Sequence, residues 1–127
     1  MRSLSALMII RKELAREQVG EGIRNGIGPA FSQLLVSKRD GFPLDALALN
    51  RLPPGSSWGP KKQTHTQEFF LVLSGLAEVI DNGKKETLRS GDMVWAQNKE
   101  TLAIRNPGPA ELVFLAGVQK EPRGLFT

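Results

Sequence analysis

The chain's single histidine, His65, lies three positions before Glu68, and these two residues are the best pair in the sequence for moving protons. Gln63 and His65 are also spaced i, i+2, which places two side chains on one face of a strand. A bulge before Glu68 would bring Gln63, His65 and Glu68 together as a substituted metal-ligand set. Other chemistries are excluded. There is no cysteine, so thiol catalysis, disulfides, zinc–cysteine sites and iron–sulfur clusters drop out. No nucleotide-binding glycine loop, nucleophile elbow or His-Glu-x-x-His motif offers a further mechanism.

The elements that must position these residues are short. The 127 residues suit one domain with a core of its own, residues 1–127, and no linker or repeat divides it. Residues 1–30 read as an N-terminal strand or arm and residues 44–118 as the core. Ala6 to Arg11 reads as a strand rather than a signal peptide, because it runs into Arg11-Lys12-Glu13 with no small-residue cleavage site. Phe31 to Ser37, Leu44 to Arg51, Glu68 to Leu73, Leu76 to Asp81, Lys84 to Leu88, Asp92 to Gln97, Thr101 to Arg105 and Glu111 to Val118 follow as strands. Pro53 to Lys62, rich in Pro, Gly and Ser, reads as a loop. Asn82-Gly83 is a strong hairpin signal, since a type I′ turn needs positive φ at both central positions. Turn residues at this spacing, with no long helix, define an all-β sandwich or barrel.

The net charge of +4 is scattered, with runs no longer than pairs such as Lys61-Lys62 and Lys84-Lys85. That is not the clustered, aromatic-interleaved basic face of a nucleic-acid binder. No apolar run reaches the ~20 residues of a membrane span. The absence of cysteine fits a reducing cytoplasm, which is the expected location.

Two segments resemble the paired motifs of the cupin superfamily. Gly59-Pro-Lys-Lys-Gln-Thr-His-Thr-Gln-Glu68, followed by an apolar run to Gly75, is similar to the first motif: a Gly, a His-x-His pair, a Glu three or four residues on, and a Gly seven after that. Gly91-Asp92-Met-Val-Trp and Asn106-Pro-Gly108 are similar to the two ends of the second. Leu44 to Leu52 and the turn Pro53-Pro54-Gly55 resemble the lead into the first motif. The resemblance implies a double-stranded β-helix, the jelly-roll barrel, whose interior can hold a small ligand.

The departures from that pattern bear on function. With three residues before Glu68, the histidine pair falls on Lys62 and Thr64, and the histidine of the second motif falls on Leu102. Only Glu68 remains of four ligands. A protonated lysine has no lone pair, and threonine and leucine are poor or null donors. The expectation is therefore no metal and no other cofactor. Lys62, Thr64, Phe70 and Leu102 become the candidate ligand-binding residues, and Glu68 and His65 the candidate acid and base. If Lys62, Thr64 and Glu68 face inward, the barrel suits a small organic ligand with a negative end. Three readings stand: a binding module, a metal-independent isomerase, epimerase, lyase or cyclase using Glu68 and His65, and a metallo-cupin with Gln63, His65 and Glu68 as ligands. Binding and catalysis would share one pocket, so the enzyme question stays open at this stage. Trp58 and Trp95 read as packing residues, and Asn106 as a turn-fixing residue. Phe69, Leu71 and Leu73 alternate with inward residues and would form an apolar outer face. With the pairing habit of cupins, that implies a homodimer.

Overall fold

The computed structural model describes residues 7–81 and 83–121. Ten strands account for most of them: β1 (Glu17–Glu21), β2 (Pro29–Ser37), β3 (Ala46–Leu52), β4 (Ser57–Lys62), β5 (Thr66–Ser74), β6 (Ala77–Asp81), β7 (Lys84–Leu88), β8 (Met93–Ala96), β9 (Thr101–Arg105) and β10 (Leu112–Lys120). All pairings are antiparallel. A six-stranded sheet runs β1-β2-β3-β10-β5-β8, and a four-stranded sheet runs β4-β9-β6-β7. The strand order jumps between sheets along the chain, as a jelly roll requires.

Period-2 alternation explains which residues meet inside. Leu52, Phe70, Val72, Ile104, Leu112 and Phe114 are almost wholly buried. Phe70 and Phe114 meet edge to face at 4.9 Å, and Trp58 stacks on Phe70 at 5.3 Å. Each such aromatic pair adds about 0.5–1.5 kcal/mol beyond the area it buries. The centre of the barrel is thus largely filled by three rings.

Turn chemistry follows the sequence at several corners. Asp81 pairs with Lys84 across the β6–β7 hairpin, and Gly83 has φ +79°; Asn82 itself lies outside the described residues. Buried Asn106 donates through Nδ2 to the carbonyls of Leu52 and Ala110 and accepts from the Gly108 amide. It therefore fixes the turn before β10, as expected.

Three expectations are corrected. Residues 7–11 of the anticipated first strand are exposed and unpaired, and residue 6 lies outside the described residues. Their apolar side chains find no neighbouring strand, and sheet pairing begins at Glu17. The latter half of the Pro53–Lys62 loop is strand β4, paired with β9. Its Gly and Pro sit at a bulge between Trp58 and Lys61, which is where a strand tolerates them. Trp95 is 55% exposed. It sits opposite Phe69 on the outer face of β8, and its indole N–H donates to Gln67 at 2.9 Å.

Candidate functional site

Glu68 marks the site. It is 1% exposed and points inward from β5, on the same face as Phe70 and Val72. A carboxylate this deep needs partners. Three hydrogen bonds reach it. Arg24 donates from Nη1 to both carboxylate oxygens, at 2.7 and 2.9 Å, and Gln63 donates from Nε2 at 3.3 Å. Gln63 is fully buried, and its own carbonyl accepts from the Thr66 hydroxyl at 2.7 Å. Gln63 is thus locked at both ends of its amide.

Arg24 comes from far along the chain. It lies in the 3₁₀ turn Ile23–Asn25, between β1 and β2. Gly22, Arg24, Asn25 and Gly28 all have positive φ, so the segment folds into a tight strap. The strap is stitched to β4. The Ser57 amide donates to Ile27 at 2.8 Å, and the Ile27 amide donates to the Ser57 hydroxyl at 2.9 Å. Gly26 lies so close that a Cβ would sit 2.1 Å from the Ser57 carbonyl oxygen. Held this way, the guanidinium lies 4.6 Å from the Trp58 ring centroid, a cation–π contact. Its side chain remains 27% exposed, and both bonds to Glu68 come from one nitrogen. Nη2 and Nε meet no acceptor among the described residues.

A second cation adjoins this pair. The pKa of Lys61 lies below the ordinary 10.5, chiefly through burial and then through repulsion from Arg24, with Glu68 pulling the other way. Lys61 pairs with Leu102 across the β4–β9 ladder, and Leu102 is 5% exposed. Leu102 is therefore an apolar wall beside the charged cluster.

The register expected from the sequence is corrected here. Lys62 and Thr64 are exposed. Lys61 and Gln63 share the inner side with Glu68 instead. Simple alternation would have placed residues 62, 64 and 68 together, but the chain leaves β4 after Lys62 and makes a turn in which His65 has φ +54°. That turn shifts the count by one before β5 begins at Thr66. Four residues, rather than three, then separate the second motif position from Glu68.

His65 does not join the carboxylate. Its amide donates to the Asn98 side chain at 2.6 Å, its carbonyl accepts from Glu121, and its Nδ1 is buried without a hydrogen-bond partner. Of the three donors anticipated for a substituted metal set, the turn brings together Gln63 and Glu68 only. The four positions that would hold a metal carry Lys61, Gln63, Glu68 and Leu102. This set does not fit one: a single carboxylate is the only strong donor, and it already binds a guanidinium. No cluster of three or more His, Cys, Asp or Glu forms among the described residues. Phe70, a candidate ligand-binding residue, faces the interior on the same side of β5 as Glu68 and packs inside the aromatic cluster at 2% exposure.

Arg24 and Lys61 were missed by sequence reasoning. Only the glycine-rich run Gly22-Ile-Arg-Asn-Gly26-Ile-Gly28 hinted at a tight loop presenting an arginine.

Two antiparallel sheets in this strand order define a jelly-roll barrel. Residues 48–117 match the family model for the cupin domain, and the chain belongs to the cupin family. It is 31% identical over 117 residues to an oxalate-binding protein from Thermotoga maritima, covering 91% of this chain and 96% of that one. It is similar to the crystal structure of a predicted oxalate decarboxylase from Thermotoga maritima, with TM-score 0.84, 30% identity, and coverage of 89% and 99% of the two chains. A sugar phosphate isomerase of the cupin superfamily from Silicibacter pomeroyi shares the fold at TM-score 0.75, with 17% identity and coverage of 91% and 77%.

Proposed function

We propose that this cupin binds a small organic carboxylate without a metal, holding it between Arg24 and Lys61. The observation that carries the reading is the charge at the inner end of β5: Arg24 pairs with Glu68, and the half-buried Lys61 lies close enough to both for their charges to act on its pKa. The surplus positive charge, in a partly desolvated place, is a slot for an anion. The uncommitted edge of the guanidinium suits a carboxylate, which a planar fork can grip with two parallel bonds. Glu68 and Gln63 serve as the platform that holds Arg24 in place. The oxalate-binding relative supports a carboxylate as the ligand class. Binding without a chemical step is the function this geometry supports, because His65 stands apart from Glu68 and the carboxylate is fully engaged.

The test is calorimetry with oxalate on protein treated with a chelator and then freed of it. Binding should persist in the metal-free protein and fall at least tenfold in Arg24→Ala and in Lys61→Ala. No heat of binding without added metal, and restoration by a divalent cation, would overturn the reading.

A further inference from the structure

Leu7-Met8-Ile9-Ile10 is an unbroken apolar run in the arm that precedes the 3₁₀ turn Lys12–Leu14. Exposure alternates along it. Met8 and Ile10 are 43% and 42% exposed and line a groove of about 290 Å³ with Val36, Phe42 and Pro43. Leu7 and Ile9 are 85% and 68% exposed. One side of the arm thus rests on its own chain and the other faces water. A run that is apolar on both sides is the pattern of a segment covered on both sides.

The arm is anchored on the outer face of the larger sheet. Gln33 donates through Nε2 to the carbonyls of Lys12 and Ala15, at 2.9 and 3.0 Å. Residues directly opposite in adjacent strands share a face. Gln33 lies opposite Leu49, and the row continues through Leu115 and Leu71 to Met93. The next row runs from Val36 through Leu47, Gly117 and Phe69 to Trp95. Neither row holds a charged residue. An antiparallel sheet that meets water on one face carries polar side chains there. This face instead leaves Met93 and Trp95 54% and 55% exposed. The seat of the arm at Val36 and the open ring of Trp95 are the two ends of one row, four strand spacings or about 19 Å apart.

We propose that this face pairs with a second copy of the chain, and that the arm of each copy lies over Met93 and Trp95 of the other. Two uncovered surfaces of one chain, at opposite ends of one row, select a second copy as the occupant. A two-fold axis along the strands, through the middle of that row, sets the Val36 end of one copy against the Trp95 end of its partner. A single operation then covers Leu7 and Ile9 with the partner's sheet, and covers the partner's Trp95 with the arm, twice over. Extended from Lys12 to Leu7, the arm spans about 17 Å, enough to lie along the four residues of β8. The inference is independent of the carboxylate reading.

The chain has no cysteine, so Ile9→Cys with Met93→Cys introduces the only two thiols. A short bismaleimide added to this variant at micromolar concentration should join two chains on a denaturing gel. Leu7→Ser with Ile9→Ser should raise the dimer dissociation constant at least tenfold in sedimentation equilibrium. Its circular dichroism should not change, because both side chains are exposed within the chain. Thiols bridged within one chain would place the arm on its own sheet and overturn the proposal, as would thiols that are not bridged at all. A monomeric wild type would overturn it too. A serine variant that pairs as tightly as wild type would show the sheets pairing without the arm, and the proposal would fail.

Discussion

Replacing Arg24 with alanine tests the centre of the site most directly. The substitution strands Glu68, which is 1% exposed, with one long hydrogen bond from Gln63 at 3.3 Å and the neighbouring ammonium of Lys61. Removing one partner of a fully buried ion pair costs about 3–5 kcal/mol. Arg24 is 27% exposed and Lys61 provides some compensation, so the pair itself accounts for about 2 kcal/mol here. Loss of the cation–π contact with Trp58 adds about 0.5 kcal/mol. Arg24→Ala should therefore lose about 2–3 kcal/mol in urea unfolding at unchanged m-value, and roughly 8–12 °C in Tm. Removing both charges with Arg24→Met and Glu68→Leu should leave stability within about 1 kcal/mol of wild type, because two apolar side chains carry no desolvation penalty. That double variant should still lose carboxylate binding. A loss below about 0.5 kcal/mol in Arg24→Ala, or a double variant as unstable as the single, would refute the idea that Arg24 is the counter-ion on which buried Glu68 depends.

Three further outcomes follow from the same geometry. The Lys61 pKa is depressed, so between that value and the ordinary 10.5 the folded state holds fewer protons than the unfolded one. Stability contributed at Lys61 therefore rises with pH through that window, whereas carboxylate affinity falls as the ammonium is lost; Lys61→Arg should flatten the fall in affinity, and an unchanged slope would count against Lys61 as an anchor. Elemental analysis of protein purified without chelator should find no stoichiometric zinc, iron, manganese, nickel or copper, while Lys61→His with Gln63→His and Leu102→His in an Arg24→Ala background should take up zinc in equilibrium dialysis. Metal in the wild-type protein at one per chain would remove the basis for a guanidinium-held site. Sedimentation should give a dimer at micromolar concentration, since Leu73, Met93 and Trp95 are 42%, 54% and 55% exposed on the outer face beside Phe69 and Leu71; Trp95→Glu should dissociate it, and a wild-type monomer would defeat the expectation.

What was legible in the sequence divides along physical lines. The β-branched and apolar runs and their punctuating glycines marked most strands, because side-chain period and turn chemistry are local properties. Ser57 to Lys62 was obscured by its Gly-Pro, which reads as a loop until β9 is seen to pair with it across a bulge. The inner face was misjudged by one residue for a related reason. A single positive-φ residue, His65, inverts the alternation between β4 and β5, and nothing in a histidine flanked by threonines announces that conformation. Arg24 was out of reach because its partner lies 44 positions away. Its role depends on a strap whose docking against Ser57 is a tertiary event.

The same division separates the residues that serve the frame of the family motifs from those that serve only the interior. Gly75 has φ +85°, and a Cβ there would lie 2.5 Å from the Glu111 carbonyl oxygen, so only glycine fits. Gly59 is as constrained, with φ +92° and a virtual Cβ 2.6 Å from the Leu102 carbonyl oxygen. Asp92 accepts from the Arg89 amide, and Asn106 closes its turn with three hydrogen bonds. These residues serve the backbone, and the barrel needs them whatever it binds. The positions of Lys61, Gln63 and Leu102 serve only the interior, where any set that balances charge and volume is stable. Glu68 is balanced by a guanidinium delivered on the strap between β1 and β2. If the proposed function holds, binding rests on hydrogen bonding and charge rather than coordination, and carboxylate affinity should be sensitive to salt and to Lys61 protonation and insensitive to chelators.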